Sequence, residues 1–143
     1  MHDNSILFPM IALAWWTLCI LMLIPYRRLK AVRRKLLRAS DFTLGESNNV
    51  DSYVALVNRN YMNLSEAPLI FYVTCGIFYV TELAGQTALM LAWCYVGLRI
   101  VHSLIHISYN NVHHRLLFFA LSNFALIALL AILTLSIFKI SAS

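Results

Sequence analysis

The sequence contains few charged residues for its length. Only 12% of its 143 residues are Asp, Glu, Lys or Arg, whereas a soluble domain carries roughly 25%. Hydrophobic residues make up 61% of the chain, and the mean hydropathy is +0.73. A soluble domain of this length has too little interior to bury so much apolar surface. The composition therefore excludes an ordinary soluble protein and indicates an integral membrane protein.

Cysteine is also scarce, and the positions of the three cysteines predict neither a metal site nor a disulfide. Cys19, Cys75 and Cys94 all lie within apolar runs, without CxxC spacing and without nearby metal ligands. We expect three small packing residues and no disulfide. The N-terminus has no basic stretch before its apolar run, which is too long for the core of a signal peptide, so we expect no cleavage there.

Four apolar segments are long enough to cross a bilayer. They cover about 5–26, 53–80, 87–109 and 116–138, and a spanning helix needs about 20 residues. Residues 41–51 form a polar loop, and the later connections are short. Short connections place consecutive helices side by side and antiparallel. The sequence predicts an all-α fold, an integral membrane four-helix bundle, formed by residues 1–143 as a single domain.

The positive charge is concentrated in one segment. Seven of the eleven Lys and Arg residues lie between Arg27 and Arg38, and the leucines among them indicate a helix at the membrane surface. Such a segment is expected on anionic lipid headgroups. A basic loop between spans is ordinary membrane topology, so the net charge of +5 does not indicate nucleic-acid binding. By the positive-inside rule, the segment is cytoplasmic and both termini lie outside.

The remaining polar residues of the spans follow helical spacing. They are Arg59, Asn63 and Glu66 in the second span, Arg99, His102 and His106 in the third, and Arg115 at the start of the fourth. The spacings i, i+4, i+7 and i, i+3, i+7 each put three side chains on one helix face. With the predicted topology, all seven residues lie in the cytoplasmic half of the membrane. Two or three of these faces are therefore expected to converge.

Several interpretations of this set are open from the residues alone. Glu66 could neutralise Arg59 or Arg99 and simply hold the bundle together. Three arginines and two histidines facing one carboxylate leave surplus positive charge, which favours an anionic ligand, and Arg forks bind carboxylates well. A proton relay is a weaker alternative. A metal site is also weaker, because no acidic or Cys ligands accompany the histidines, which are His102, His106, His113 and His114.

Two motifs resemble those of the MAPEG family, membrane-associated proteins in eicosanoid and glutathione metabolism. The first is Arg59-x-x-x-Asn63-x-x-Glu66-x-Pro68-x-x-Phe71, which resembles the signature of the second helix. The second is Tyr95-x-x-x-Arg99-x-x-His102-x-x-x-His106 followed by Arg115, which resembles the third and fourth helices. The resemblance covers about residues 53–123 and looks closest to a bacterial branch, which implies a bacterial inner membrane.

The resemblance implies a homotrimer of four-helix protomers with a glutathione site between subunits, open to the cytoplasm. Arg59, Asn63, Glu66, Arg99 and His102 match positions that hold glutathione in relatives, and His106 is expected to join them. Arg115 matches a position near the thiol and is the expected catalytic residue. A cationic neighbour raises the thiolate fraction, and the thiolate is the nucleophile.

Two residues depart from the family pattern. His106 stands where many catalytic relatives have tyrosine, and Leu116 follows Arg115 where the prostaglandin synthase has serine. The second departure argues against prostaglandin-type isomerase chemistry. The resemblance implies a glutathione-dependent transferase or peroxidase acting on an apolar electrophile or a lipid hydroperoxide. The alternative is a non-catalytic lipid- or partner-binding trimer, because the family includes a lipoxygenase-activating protein that binds lipid without turnover.

Overall fold

The computed structural model of the chain describes residues 4–34 and 52–142. A 3-10 turn, Asn4–Ile6, precedes five α-helices, and no β-strand occurs in these ranges. The helices are α1 (Leu7–Arg33), α2 (Ser52–Glu66), α3 (Leu69–Thr81), α4 (Gln86–Ile107) and α5 (Val112–Ser141).

The prediction of an all-α, four-span membrane fold is confirmed. Because α2 and α3 follow one another across a single span, the described residues form four helical segments that are long and apolar enough to cross a bilayer. α4 packs most extensively against α5, and α1 packs against α2. The predicted polar loop, residues 41–51, and the last part of the basic segment lie outside the described residues.

Helix α1 extends beyond the predicted first span. Its 27 residues correspond to about 40 Å, whereas the hydrocarbon core is about 30 Å thick. Pro25 lies inside the helix and removes one backbone donor, which a membrane helix tolerates. The predicted span end at Tyr26 is therefore not the helix end. Residues up to Arg33 continue the same helix, as the leucine spacing in the basic segment indicated.

The second span is broken at Pro68. Ala67 and Pro68 form a turn between α2 and α3, because proline lacks an N–H and disfavours helical geometry in the preceding residue. The Ala67 N–H still donates to the Asn63 carbonyl at 3.2 Å, and the Tyr72 N–H to Pro68 at 3.0 Å. The break therefore lies one turn beyond Asn63, close to the predicted polar site.

A tight turn of residues 108–111 joins α4 to α5. Asn111 caps α5, since its side-chain oxygen accepts from the backbone N–H groups of His113 at 3.0 Å and His114 at 3.2 Å, an arrangement typical of helix N-termini. Helix α5 therefore begins at Val112, about one helical turn before the predicted fourth span, 116–138. Both histidines lie in the first turn of α5, where they are exposed.

Most side chains of the spans face outward. Between 22% and 44% of the most apolar stretch of each span is buried within the protomer, and large apolar side chains such as Trp15 and Phe124 are exposed. The interior is narrow and well packed, with the rings of Phe71 and Tyr95 stacked at a centroid distance of 4.5 Å. The outward apolar faces require lipid or further subunits as their environment.

Arg27 corrects the expectation that the whole basic segment lies on lipid headgroups. Its side chain is only 8% exposed and turns into the bundle. Nη1 donates to the Tyr53 carbonyl at 2.7 Å and Nη2 to the Ile107 carbonyl at 3.1 Å. The guanidinium also lies 4.1 Å from the Tyr53 ring centroid, a cation–π distance. Arg27 thereby connects α1, α2 and α4 at one end of the bundle, which we call the basic end.

Candidate functional site

A cavity of about 300 Å³ opens between α2, α4 and α5 near the basic end. Its lining residues are Arg59, Asn63, His102, His106, Val112, Arg115, Leu116 and Phe119. Five of the seven predicted site residues are among them. No carboxylate occurs among the described residues that line this space, so its ionisable walls are guanidinium and imidazole groups.

Helical periodicity explains why these side chains converge. Arg59 and Asn63 are four residues apart on α2, and His102 and His106 are four apart on α4, so each pair shares one face. Arg115 reaches the cavity from the first turn of α5, immediately after the tight turn that reverses the chain. The structure thus brings these five residues together at one cavity.

Arg99 lies behind the cavity wall instead of lining it. Its side chain is fully buried, and Nη2 donates to both the carbonyl and the side-chain oxygen of Asn63, at 2.9 and 2.6 Å. Its Nε and Nη1 have no hydrogen-bond partner among residues 4–34 and 52–142, and the guanidinium carbon is 5.5 Å from the Phe119 ring centroid. Arg99 therefore orients Asn63 and adds positive potential beneath the cavity.

Glu66 is exposed and does not line the cavity. The guanidinium of Arg99 donates its hydrogen bonds to Asn63. Within the described residues, Glu66 therefore does not neutralise Arg99 through a hydrogen bond. A buried cation in a membrane segment is costly unless something compensates it. With Arg99 behind the wall and two further arginines in it, the arrangement suits an anionic ligand.

His102 has a defined tautomer. Its Nδ1 is 2.9 Å from the backbone carbonyl oxygen of Arg115, and a carbonyl only accepts, so Nδ1 carries the hydrogen. In the neutral ring, Nε2 is then the acceptor. His106 is 5.9 Å away in an edge-on arrangement, and no hydrogen bond within the described part of the chain engages its ring. Both imidazoles therefore retain hydrogen-bonding capacity for a ligand.

Arg115 is held at three points. Its Nη1 donates to the Asn110 side-chain oxygen at 2.9 Å, and its backbone N–H donates to the Asn111 carbonyl at 3.0 Å. The third point is its own carbonyl, which accepts from His102. The site thus has one well-anchored cation, Arg115 on α5, and one exposed cation, Arg59 on α2.

Several residues that support the site were missed at the sequence level. Asn60 and Ser103 are both fully buried, and Asn60 Nδ2 donates to Ser103 Oγ at 2.6 Å, which connects α2 to α4. Arg27 and Asn110 were also missed. In the sequence, Asn60 follows Arg59 and Ser103 follows His102, which are the more conspicuous residues. The role of each missed residue becomes visible only through its hydrogen-bond partner in the fold.

Comparison with known proteins identifies the family. A sequence model of the MAPEG family matches residues 6–135, which covers the greater part of all four spans and every residue of the candidate site. No curated protein and no solved structure matches the chain. The motif resemblance, the four-span fold and this match agree, and the chain belongs to the MAPEG family.

Proposed function

We propose that this protein is a membrane-embedded, glutathione-dependent transferase or peroxidase that acts on apolar electrophiles or lipid hydroperoxides. The observation that carries the proposal is the cavity lined by Arg59, Arg115 and two imidazoles without a described carboxylate. Glutathione carries two carboxylates and one thiol, which are the groups that such walls bind. Members of the MAPEG family generally use glutathione, and this chain is one of them.

Each site residue is proposed to bind a different group of glutathione. Arg59 pairs with a glutathione carboxylate. Arg99 occupies the side-chain oxygen of Asn63, which leaves the amide Nδ2 of Asn63 to donate to the same ligand. His102 and His106 form hydrogen bonds to the peptide groups. Glu66 is exposed one turn beyond Asn63 on α2, and its proposed partner is the ammonium group of glutathione.

Arg115 is the proposed catalytic residue. Its charge favours the thiolate over the thiol, and the thiolate is the attacking species. In the transferase reaction, a sulfur–carbon bond forms and the electrophile releases its leaving group. In the peroxidase reaction, the thiolate attacks the terminal oxygen of the hydroperoxide and the O–O bond breaks. The glutathione sulfur becomes a sulfenic acid, and the alkoxide leaves and takes a proton from water to give the alcohol. A second glutathione then reduces the sulfenic acid to a disulfide and water.

The proposed assembly is a homotrimer in a bacterial inner membrane, with the basic end in the cytoplasm, where glutathione is available. The cavity lies at the protomer surface, and its apolar members Val112 and Leu116 are about 60% exposed. A neighbouring subunit would cover this opening. The apolar substrate would reach it laterally from the lipid that surrounds the outward faces of the spans.

The test is a titration of the detergent-solubilised protein with glutathione, monitored by the ultraviolet absorbance of the thiolate. The wild type is expected to show a saturable thiolate band. Arg115→Ala is expected to bind glutathione by equilibrium dialysis but to lose the band. Lys139→Ala, which removes an exposed cation at the far end of the same helix, is the matched control and should behave as the wild type.

Light scattering of the same preparations reports the oligomer, and a mass of three 16.3 kDa chains is expected after subtraction of detergent. A folded wild type with neither a thiolate band nor bound glutathione would contradict the proposed function. That result would favour the alternative, a non-catalytic lipid- or partner-binding trimer.

A further inference from the structure

We propose that Asn110, in the turn between α4 and α5, is a positioning residue that fixes the Arg115 guanidinium at the mouth of the cavity. This inference rests on the proposed role of Arg115 toward a bound thiol. Asn110 is not among the residues that line the cavity, so it acts through Arg115 and not through direct contact with a ligand.

The backbone of Asn110 has a conformation that few residues adopt. Its φ is +47°, in the left-handed region where glycine, asparagine and aspartate are favoured. Its N–H donates to the Ile105 carbonyl at 2.8 Å, which closes the C-terminal end of α4. The position therefore requires a residue that adopts a left-handed backbone conformation. Glycine would meet this requirement but would provide no side-chain acceptor. Asparagine adds a side-chain acceptor, and Arg115 Nη1 uses it.

The rest of the turn fixes the backbone of Arg115 but not its side chain. Asn111 accepts the Arg115 N–H, and His102 donates to its carbonyl. Within the described residues, the amide of Asn110 is the group that engages the guanidinium through a hydrogen bond. This hydrogen bond, which we call the anchor, restricts the Arg115 side chain and keeps its remaining N–H groups directed to a ligand. Without the anchor, the charge would be distributed over several rotamers.

The anchor is also electrically neutral, which matters for the chemistry. The ionisable groups that face the cavity are Arg59 from α2, His102 and His106 from α4, and Arg115 from α5. An amide oxygen holds Arg115 without neutralising it, so the full charge remains for the ligand. Aspartate at position 110 would keep the turn and the geometry but would place a carboxylate against the guanidinium.

The first experiment compares Asn110→Asp and Asn110→Gly, with Asn111→Ala as the matched control from the same turn. The readout is the pH at which the thiolate band of bound glutathione is half developed. Asn110→Asp is expected to raise this midpoint by about one pH unit, because the new carboxylate offsets the charge of Arg115. Asn111→Ala removes the helix cap, so it is expected to lower the melting temperature and leave the midpoint unchanged.

The second experiment does not depend on glutathione. Phenylglyoxal modifies accessible guanidinium groups, and mass spectrometry measures the rate at each arginine. Arg115 is expected to react about fivefold faster in Asn110→Gly than in the wild type, since one hydrogen bond of about 1 kcal/mol is lost. Arg59 lines the same cavity from α2, and it serves as the internal reference with an unchanged rate.

The two experiments separate the inference from the function on which it rests. A wild type without a thiolate band would contradict the proposed function, while the modification rates would still decide the role of Asn110. Equal Arg115 rates in the wild type and Asn110→Gly would overturn the inference, as would a midpoint shift in Asn111→Ala as large as that in Asn110→Asp.

Discussion

His106 is one of the two residues at which this site departs from the family pattern, and its position in the cavity predicts a role in ligand binding. It lines the cavity and is 7% exposed, and its Nδ1 has no hydrogen-bond partner among the described residues. We expect His106→Leu to weaken glutathione binding about tenfold, the value of one hydrogen bond of roughly 1.4 kcal/mol. His106→Tyr should stay within about threefold, because a hydroxyl can still donate. Equilibrium dialysis measures both, and equal weakening by the two variants would contradict this role.

The residues of the cavity were predictable to different degrees. Helical periodicity placed Arg59 beside Asn63 and His102 beside His106, because these spacings depend on backbone geometry alone. Periodicity does not predict how deeply a side chain is withdrawn. Arg99 shares the face of His102, yet it lies behind the wall, because Asn63 at the break before Pro68 offers it two acceptors. Such a partner lies 36 residues away in the chain and is visible only in the fold.

At the scale of elements, the guanidinium of Arg27 is expected to stabilise the bundle. It donates to the Tyr53 carbonyl in the first turn of α2 and to the Ile107 carbonyl at the end of α4. Removal would leave two carbonyls without these donors. We expect Arg27→Ala to lower the free energy of unfolding by about 2 kcal/mol, measured by denaturation in mixed detergent micelles. Arg33→Ala is the matched control, since Arg33 is exposed on the same helix, and it should change stability little.

The Arg27→Lys variant tests whether the charge or the geometry of the guanidinium is responsible for this stabilisation. A lysine retains the charge, but its compact ammonium group does not reproduce the planar fork that reaches two carbonyls. Its stability is expected to lie between those of the wild type and Arg27→Ala. A lysine variant as stable as the wild type would show that charge alone accounts for the effect and would contradict the geometric explanation.

The boundaries of the elements show where sequence reasoning stops. Hydropathy predicted the end of the first span at Tyr26, but α1 continues to Arg33. The reason is that hydropathy reports where the lipid ends, whereas helix formation continues as long as backbone bonds and contacts such as those of Arg27 sustain it. Likewise, α5 begins at Val112 because Asn111 caps it, and a cap of this type does not require an apolar residue after it.

For the whole molecule, the distribution of charge predicts a single orientation in the membrane. The basic end contains four cationic residues of α1, which are Arg27, Arg28, Lys30 and Arg33. It also contains Arg115 in the first turn of α5. The opposite end has Lys139. By the positive-inside rule, this asymmetry predicts that the basic end lies in the cytoplasm. The termini described here, the start of α1 and the end of α5, would then both lie outside.

Cysteine labelling tests this orientation directly. Native Cys19, Cys75 and Cys94 lie within the spans, so they can be replaced by alanine before single cysteines are introduced at exposed helix ends. A membrane-impermeant maleimide is expected to label Ser141→Cys in intact spheroplasts, whereas Ser52→Cys should react only after permeabilisation. Both positions are exposed, so labelling after permeabilisation is the internal control for each. The inverse pattern would place the cavity on the outer side of the membrane, away from the cytoplasm where the proposed thiol ligand is available, and would contradict the proposed topology.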